Sequence, residues 1–262
     1  MSMPALFVSH GAPNLIIRNS QARDFLAGYG AALGKPRAIV IASAHFPSGR
    51  PTVIVDEQPG MIYDFGGFEP ELYEIVYPAP GDPLVAVKVA GLLDAAGIAP
   101  AIARNRGYDH GTWVPLKLLY PDADVPVVQL SIQPNRDPAH HYAVGRALAT
   151  LGMEDILVIG SGSLTHNLRE VFRAGGMRPE NDPVPVWVSA FADWMHERIL
   201  AGDLEALLDY RARAPEAERN HPTDEHLLPL FVALGAGGLG AVERVHHSHQ
   251  YGVLALDAYR FG

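Results

Sequence analysis

Cysteine is absent from the 262 residues. Disulfide scaffolds, thiolate zinc sites and cysteine nucleophiles are therefore excluded. Basic charge is scarce as well: 20 Lys and Arg stand against 29 Asp and Glu, a net charge of −9 with histidine neutral. That balance argues against nucleic acid or an anionic membrane surface as partner, while a small anionic substrate needs only one or two placed cations. No apolar run approaches the roughly 20 residues that span a bilayer. The opening MSMPALFVSH has no basic stretch and only a short apolar run, so no signal peptide is expected and a cytoplasmic location is.

Hydrophobic residues are plentiful at 48%, enough for a large core without disulfides. No low-complexity linker, fixed-period repeat or break in composition divides the chain, so a single domain over residues 1–262 is expected. Apolar, β-branched runs at 5–8, 38–42, 52–55, 125–132, 156–159 and 253–259 read as strands, several covered on both faces. Between them, 22–33, 83–96, 138–151, 188–200 and 204–210 carry apolar residues at helical spacing. Asp82 before Pro83 and Asp137 before Pro138 look like N-caps with proline at the first helical position. The alternation predicts an α/β fold: a central, mixed but mostly parallel sheet with helices on both faces, its last strand antiparallel.

Histidine is abundant, with 12 residues, and without cysteine any transition-metal site must be built from His, Asp and Glu. In α/β sheets, sites form beyond the carboxyl ends of the strands. His10 follows the first predicted strand, His45 the second, and His166 lies in the loop after another. Each alone is equally a polar residue ending a strand; together, His10 and His45 make half of a metal site. His110 follows Asp109, which can simply cap a helix over 114–120, and Trp113 nearby can pack over an aromatic ring. Glu225 and His226 are adjacent behind Thr223, a candidate N-cap, so on a helix only one of them faces a given metal. His246, His247 and His249 read as a surface tract, from which Tyr251 or His249 can still reach a pocket. His140, His141 and His196 read as surface residues. The loop Tyr63–Phe68, rich in glycine and aromatics, is either an aromatic lid or a packed loop. Arg104, Arg106 and Lys117 are candidate partners for a substrate carboxylate.

An ordered set of strings resembles the class III extradiol ring-cleavage dioxygenases, the superfamily of the protocatechuate 4,5-dioxygenase catalytic subunit, and within it the DOPA-type branch. The strings are Ser9-His10-Gly11-x-Pro13, Ser43-Ala44-His45-Phe46, Tyr63-Asp64-Phe65-Gly66-Gly67-Phe68, Tyr77-Pro78-Ala79-Pro80-Gly81 and Asp109-His110-Gly111-x-Trp113. They continue with Tyr120-Pro121-Asp122-Ala123-Asp124, Val128-Gln129-Leu130-Ser131-Ile132, His166-Asn167-Leu168 and Pro222-Thr223-x-Glu225-His226-x-Leu228-Pro229-Leu230. They run in family order through nearly the whole chain.

The resemblance implies a mononuclear non-haem metal, ferrous iron for catalysis, with zinc plausible in the isolated protein. It implies His10 and His45 as ligands and His226 as the third, with Glu225 as the alternative. His166 would be the acid/base, able to close on the metal when no substrate is bound, and His110 a second substrate-facing histidine. The substrates would be a small aromatic diol and O2, opened to a semialdehyde-type acid in aromatic-compound catabolism, by a monomer or small homo-oligomer. A histidine of near-neutral pKa suits the proton transfers, and the 63–68 aromatics with Trp113 would grip the ring. Three neutral histidines leave a divalent ion at +2, which also suits zinc. Two rivals share the same residues: a zinc-dependent hydrolase, and a binding protein of the same fold without catalysis.

Overall fold

A computed structural model describes residues 2–173 and 176–262. Eight strands form one sheet: β1 (Ala5–Ser9), β2 (Ala38–Pro47), β3 (Thr52–Ile54), β4 (Ala101–Ala103), β5 (Val127–Ile132), β6 (Ile156–Gly162), β7 (Val242–His246) and β8 (Ala258–Phe261). Their spatial order is β4-β3-β5-β2-β6-β1-β8-β7. The central strands β5, β2, β6 and β1 run parallel, while β8 pairs antiparallel with β1 and with β7. On the far side β3 is parallel to β4 and meets β5 antiparallel through Val53 and Leu130.

Strands β1, β5 and β6, and β2 up to Ala44, are buried because helices cover both faces. Strand residues alternate between two apolar cores. Phe7, Val40, Val128 and Val158 point to one side, with α2 (Pro83–Ala95), α4 (Pro138–Ala147), α6 (Leu228–Gly237) and most of α5 (Val186–Ala201). Leu6, Val8, Ile39, Ile41 and Ile159 point to the other, with α1 (Gln21–Leu33) and α3 (His110–Leu119). The fold is thus a single α/β domain with a mixed sheet. Among the described residues, no helix is long and apolar enough to cross a membrane.

Local chemistry explains most boundaries. Asp82 accepts the backbone N–H groups of Leu84 and Val85, and Asp137 that of His140, so both caps form as expected. Four expectations differ. The run 253–259 is not one strand: Leu254–Ala255 pairs with His249–Gln250, and the sheet strand begins only at Ala258. Helix α4 stops at Ala147 and continues as a 3-10 turn over Ala149–Glu154. Thr223 caps no helix; its hydroxyl donates to Glu225, and α6 starts at Leu228. His141 is not a surface residue. It is 1% exposed, its Nδ1–H donates to the Asp137 carbonyl at 2.9 Å, and its Nε2 accepts from the Gln133 N–H at 3.0 Å.

That burial has a consequence for acid stability. Burial pushes the His141 pKa down to about 4, against the opposing hydrogen bond to the Asp137 carbonyl. On acidification the unfolded chain takes up its proton first, near 6.5. The neutral native form is therefore fully favoured above pH 6.5, and stability falls between pH 6.5 and about 4. A shift of this size is worth about 3 kcal/mol. Urea unfolding of His141→Gln is expected to show a shallower loss across that window than the parent protein, and equal slopes would contradict it.

Candidate active site

Two strand ends, one turn and one helix start converge at the carboxyl ends of the parallel strands. Gly11, at φ +64°, turns the chain sharply after β1 and leaves His10 at the strand end. His45 lies on the last residues of β2, where the pairing with β5 shifts register. His226 sits in the turn before α6. It comes close because β6 carries Gly160 and Gly162 there: a Cβ on either would collide with the carbonyls of Pro229 and His226. His110 opens α3, with Asp109 capping the Thr112 N–H at 3.0 Å. Asp109 caps the helix as expected, but the helix begins at His110 and not at 114, and His110 lines the cavity.

The Nε2 atoms of His10 and His226 each stand 3.2 Å from Nε2 of His45. Two nitrogens about 2.1 Å from one ion stand about 3.0 Å apart at a right angle and about 3.4 Å apart at a tetrahedral angle. The spacing therefore fits a shared ion, and the hydrogen-bond partners on the far side of the rings say why. Pro115 lies inside α3 and has no N–H to give the Gly111 carbonyl. The Ser161 hydroxyl donates to that carbonyl instead, at 2.5 Å. Its one proton is then used, so it must accept from His10 Nδ1–H at 3.0 Å. His226 Nδ1–H likewise faces Glu225 Oε1 at 3.1 Å. Both rings thus turn bare Nε2 lone pairs toward His45. A proton on His45 Nε2 can be directed squarely at only one of them, whereas a cation between the three satisfies all of them.

Electrostatics agrees. His10 is 1% exposed and His226 6%. Burial, and then the charge of the neighbouring histidines, pushes both well below 6.5, and burial followed by His110 takes His45 to about 3. All three are neutral at pH 7, the form that ligates a metal.

His166 stacks on His226 with ring centroids 3.4 Å apart and planes at 10°. It lies outside the group formed by His10, His45 and His226, and shares a separate neighbourhood with Glu225 and His226. Its expected near-neutral pKa does not hold. Burial first, then His221 and His110, lowers it to about 3. The ring is therefore neutral at rest.

These histidines floor a cavity of about 950 Å³. Phe65 and Phe68 from the 63–68 loop line it, and so does Tyr251. Trp113 does not: it is fully buried beneath the loop, its ring 6.2 Å from that of Phe65. Arg106 and Lys117 are spent elsewhere. Arg106 donates to the His45 carbonyl and to Asp109, both at 2.9 Å, and Lys117 donates to the Val76 carbonyl. The cations on the cavity wall are instead Arg18, paired with Glu69, and Arg178, paired with Asp182. His247 binds Asp257 away from the cavity.

Asp64 is a site residue that the sequence reading passed over. Its Oδ2 lies 3.2 Å from His45 Nδ1, its Oδ1 3.0 Å from His110 Nδ1, and Oδ1 also accepts the His110 backbone N–H at 3.0 Å. Burial alone would raise its pKa, but the hydrogen bond to His110 and the charges of His110 and His45 hold it at about 2. The available signal was an acid in Tyr-Asp-Phe-Gly-Gly with neither a cap to form nor a cation beside it.

Comparison with known proteins places the chain. Residues 8–262 match the family described as the catalytic LigB subunit of aromatic ring-opening dioxygenase. A 4,5-DOPA dioxygenase extradiol of Beta vulgaris is 40% identical over 97% of this chain and 95% of its own. That of Escherichia coli K12 is 39% identical over 89% of this chain and 85% of its own. The crystal structure of an uncharacterized Escherichia coli K12 protein superposes with a TM-score of 0.82 at 32% identity, over 99% of this chain and all of that one. The chain therefore belongs to the LigB family of class III extradiol dioxygenases, metal-dependent enzymes that open a catechol-type ring with dioxygen.

Proposed function

We propose that this protein is an iron-dependent dioxygenase that opens a DOPA-like catechol, and that His10, His45 and His226 hold its ferrous ion. The observation that carries this reading is the meeting of three ring nitrogens, two of them with fixed tautomers, on the floor of a cavity large enough for a substituted ring. When bound, the metal supplies a positive charge for the two adjacent ring oxygens and the redox step with O2 that no side chain here can perform.

The chain's own residues do the rest. His166, neutral at rest, takes the proton of a catechol hydroxyl and returns it as the ring opens. His110 Nε2 hydrogen-bonds a substrate oxygen. Phe65, whose ring stands 5.7 Å from that of His110, and Phe68 flank the aromatic ring. Both atoms of O2 enter the product, a semialdehyde-type acid. The polar wall of Asn14, Arg18, Glu69, Arg178 and Glu180 suits a substituent that carries charge. The relatives' names support DOPA-like among such substituents.

Three neutral nitrogens also bind zinc, which has no redox step, so the protein as isolated is expected to carry zinc in part. A reducing cytoplasm, where iron stays ferrous, suits this function.

The test is oxygen uptake. Protein loaded anaerobically with ferrous iron and mixed with a panel of catechols is expected to consume one O2 per ring and give a yellow product. No uptake across the panel would refute the assignment. Turnover with zinc alone and no oxygen requirement would point to hydrolysis instead.

A further inference from the structure

We infer that Asp64 is the positioning residue of this site: one carboxylate that sets the tautomer of His45 and aims His110. The inference rests on the metal-site reading above.

Asp64 brings one oxygen to each of two histidines, His45 and His110, whose ring centroids are only 3.8 Å apart. Both ring contacts are at hydrogen-bond distance but off the N–H axis. Catalytic contacts in substrate-free sites are commonly loose in this way and tighten on occupation. The third contact, from the His110 backbone N–H to Oδ1, is aligned. It fixes Oδ1 as an acceptor, because a backbone N–H cannot change its role. A carboxylate with both oxygens accepting makes His45 carry its proton on Nδ1. His45 Nε2 is then bare toward His10 and His226. Asp64 also belongs to the loop that supplies Phe65 and Phe68 to the cavity wall, so the seating of that loop and the aim of the ring nitrogens are one constraint.

The asymmetry gives the test. In Asp64→Asn the backbone N–H of His110 holds the amide oxygen at the Oδ1 position. The amide NH2 must then face His45 Nδ1, which has to become an acceptor. The His45 proton moves to Nε2, and a ligand position is blocked. Glu225→Gln removes the same unit of charge beside His226. The Gln oxygen, however, can still accept from both His226 Nδ1–H and the Thr223 hydroxyl, which share Oε1 now.

Zinc and cobalt(II) affinities are measured by chelator competition on both variants and the parent protein. Asp64→Asn is expected to bind 10- to 100-fold more weakly, the range of an outer-shell change. Glu225→Gln is expected to lose at least threefold less. Equal losses, or a larger loss in Glu225→Gln, would overturn the inference, because charge alone would then explain both. Failure of the parent protein to bind any divalent metal would defeat the site reading itself, a separate outcome. Should Asp64→Asn not fold, long-range nitrogen-15 spectra of the metal-free parent decide: His45 protonated on Nδ1 supports the role of Asp64, and protonation on Nε2 overturns it.

Discussion

His45→Ala is expected to lose the metal and oxygen uptake together while keeping the fold. His45 is the hinge of the site, since its Nε2 is the one that lies 3.2 Å from both other ring nitrogens. Outer-shell changes typically cost 10- to 100-fold in metal affinity, so removing a ligand at the centre of the triad should cost more and leave activity below about 1%. The backbone does not depend on the ring. The His45 carbonyl is held by Arg106, its N–H by the Ser43 hydroxyl, and its side chain is already 21% exposed. Without metal the crowded lone pairs are a cost, so metal-free His45→Ala should melt at or above the metal-free parent. With metal the order should reverse. A ligand at a thousandfold excess over its Kd stabilises the parent by about 4 kcal/mol, a rise of order 10 °C for a chain of this size. The variant should show no such rise. A metal-dependent rise equal to the parent's would remove His45 from the ligand set.

Residues whose position follows from strand periodicity were the ones legible in advance. His10 and His45 end apolar runs, and the crevice beyond parallel strands is where such ends meet. The same rule placed His166. Sites carried by turns were harder. His226 is brought in by close packing against Gly160 and Gly162, contacts between segments more than 60 residues apart in sequence. The adjacent Glu225 and His226 read as a helix start, where one residue excludes the other. In the turn that forms instead, the histidine points inward and the glutamate holds its back. Trp113 misled because an aromatic beside a site motif looks like a ring clamp, whereas its position on α3 faces the core under the 63–68 loop. The edge strand β7 was missed because Val-Glu-Arg-Val-His alternates weakly and ends in histidines that dominate its appearance. His141 needed α4 and the Gln133 turn in place before its burial could be read.

Replacing His166 separates a ligand from a proton carrier. His166→Asn is expected to keep the metal and lose turnover. His166 lies on the cavity wall, stacked on His226 and outside the nitrogen triad, so metal affinity should stay within a few-fold of the parent. Proton transfer by a placed side chain contributes typically 10²- to 10⁴-fold, about 3–5 kcal/mol of barrier, and kcat should fall by that amount. The ring's environment explains why it suits this work. With burial, His221 and His110 keeping it neutral at rest, solvent protons do not occupy it. On the proposed mechanism, charge developing on a catechol oxygen as its proton leaves would raise the basicity of the ring, and the ring would give that proton up once the charge disperses into the opened product. Its backbone N–H is tied to the Asn220 carbonyl at 3.0 Å, so the shorter Asn side chain should leave the loop in place. Wild-type kcat in His166→Asn would remove it from the proton path, and joint loss of metal and activity would make it a fourth ligand.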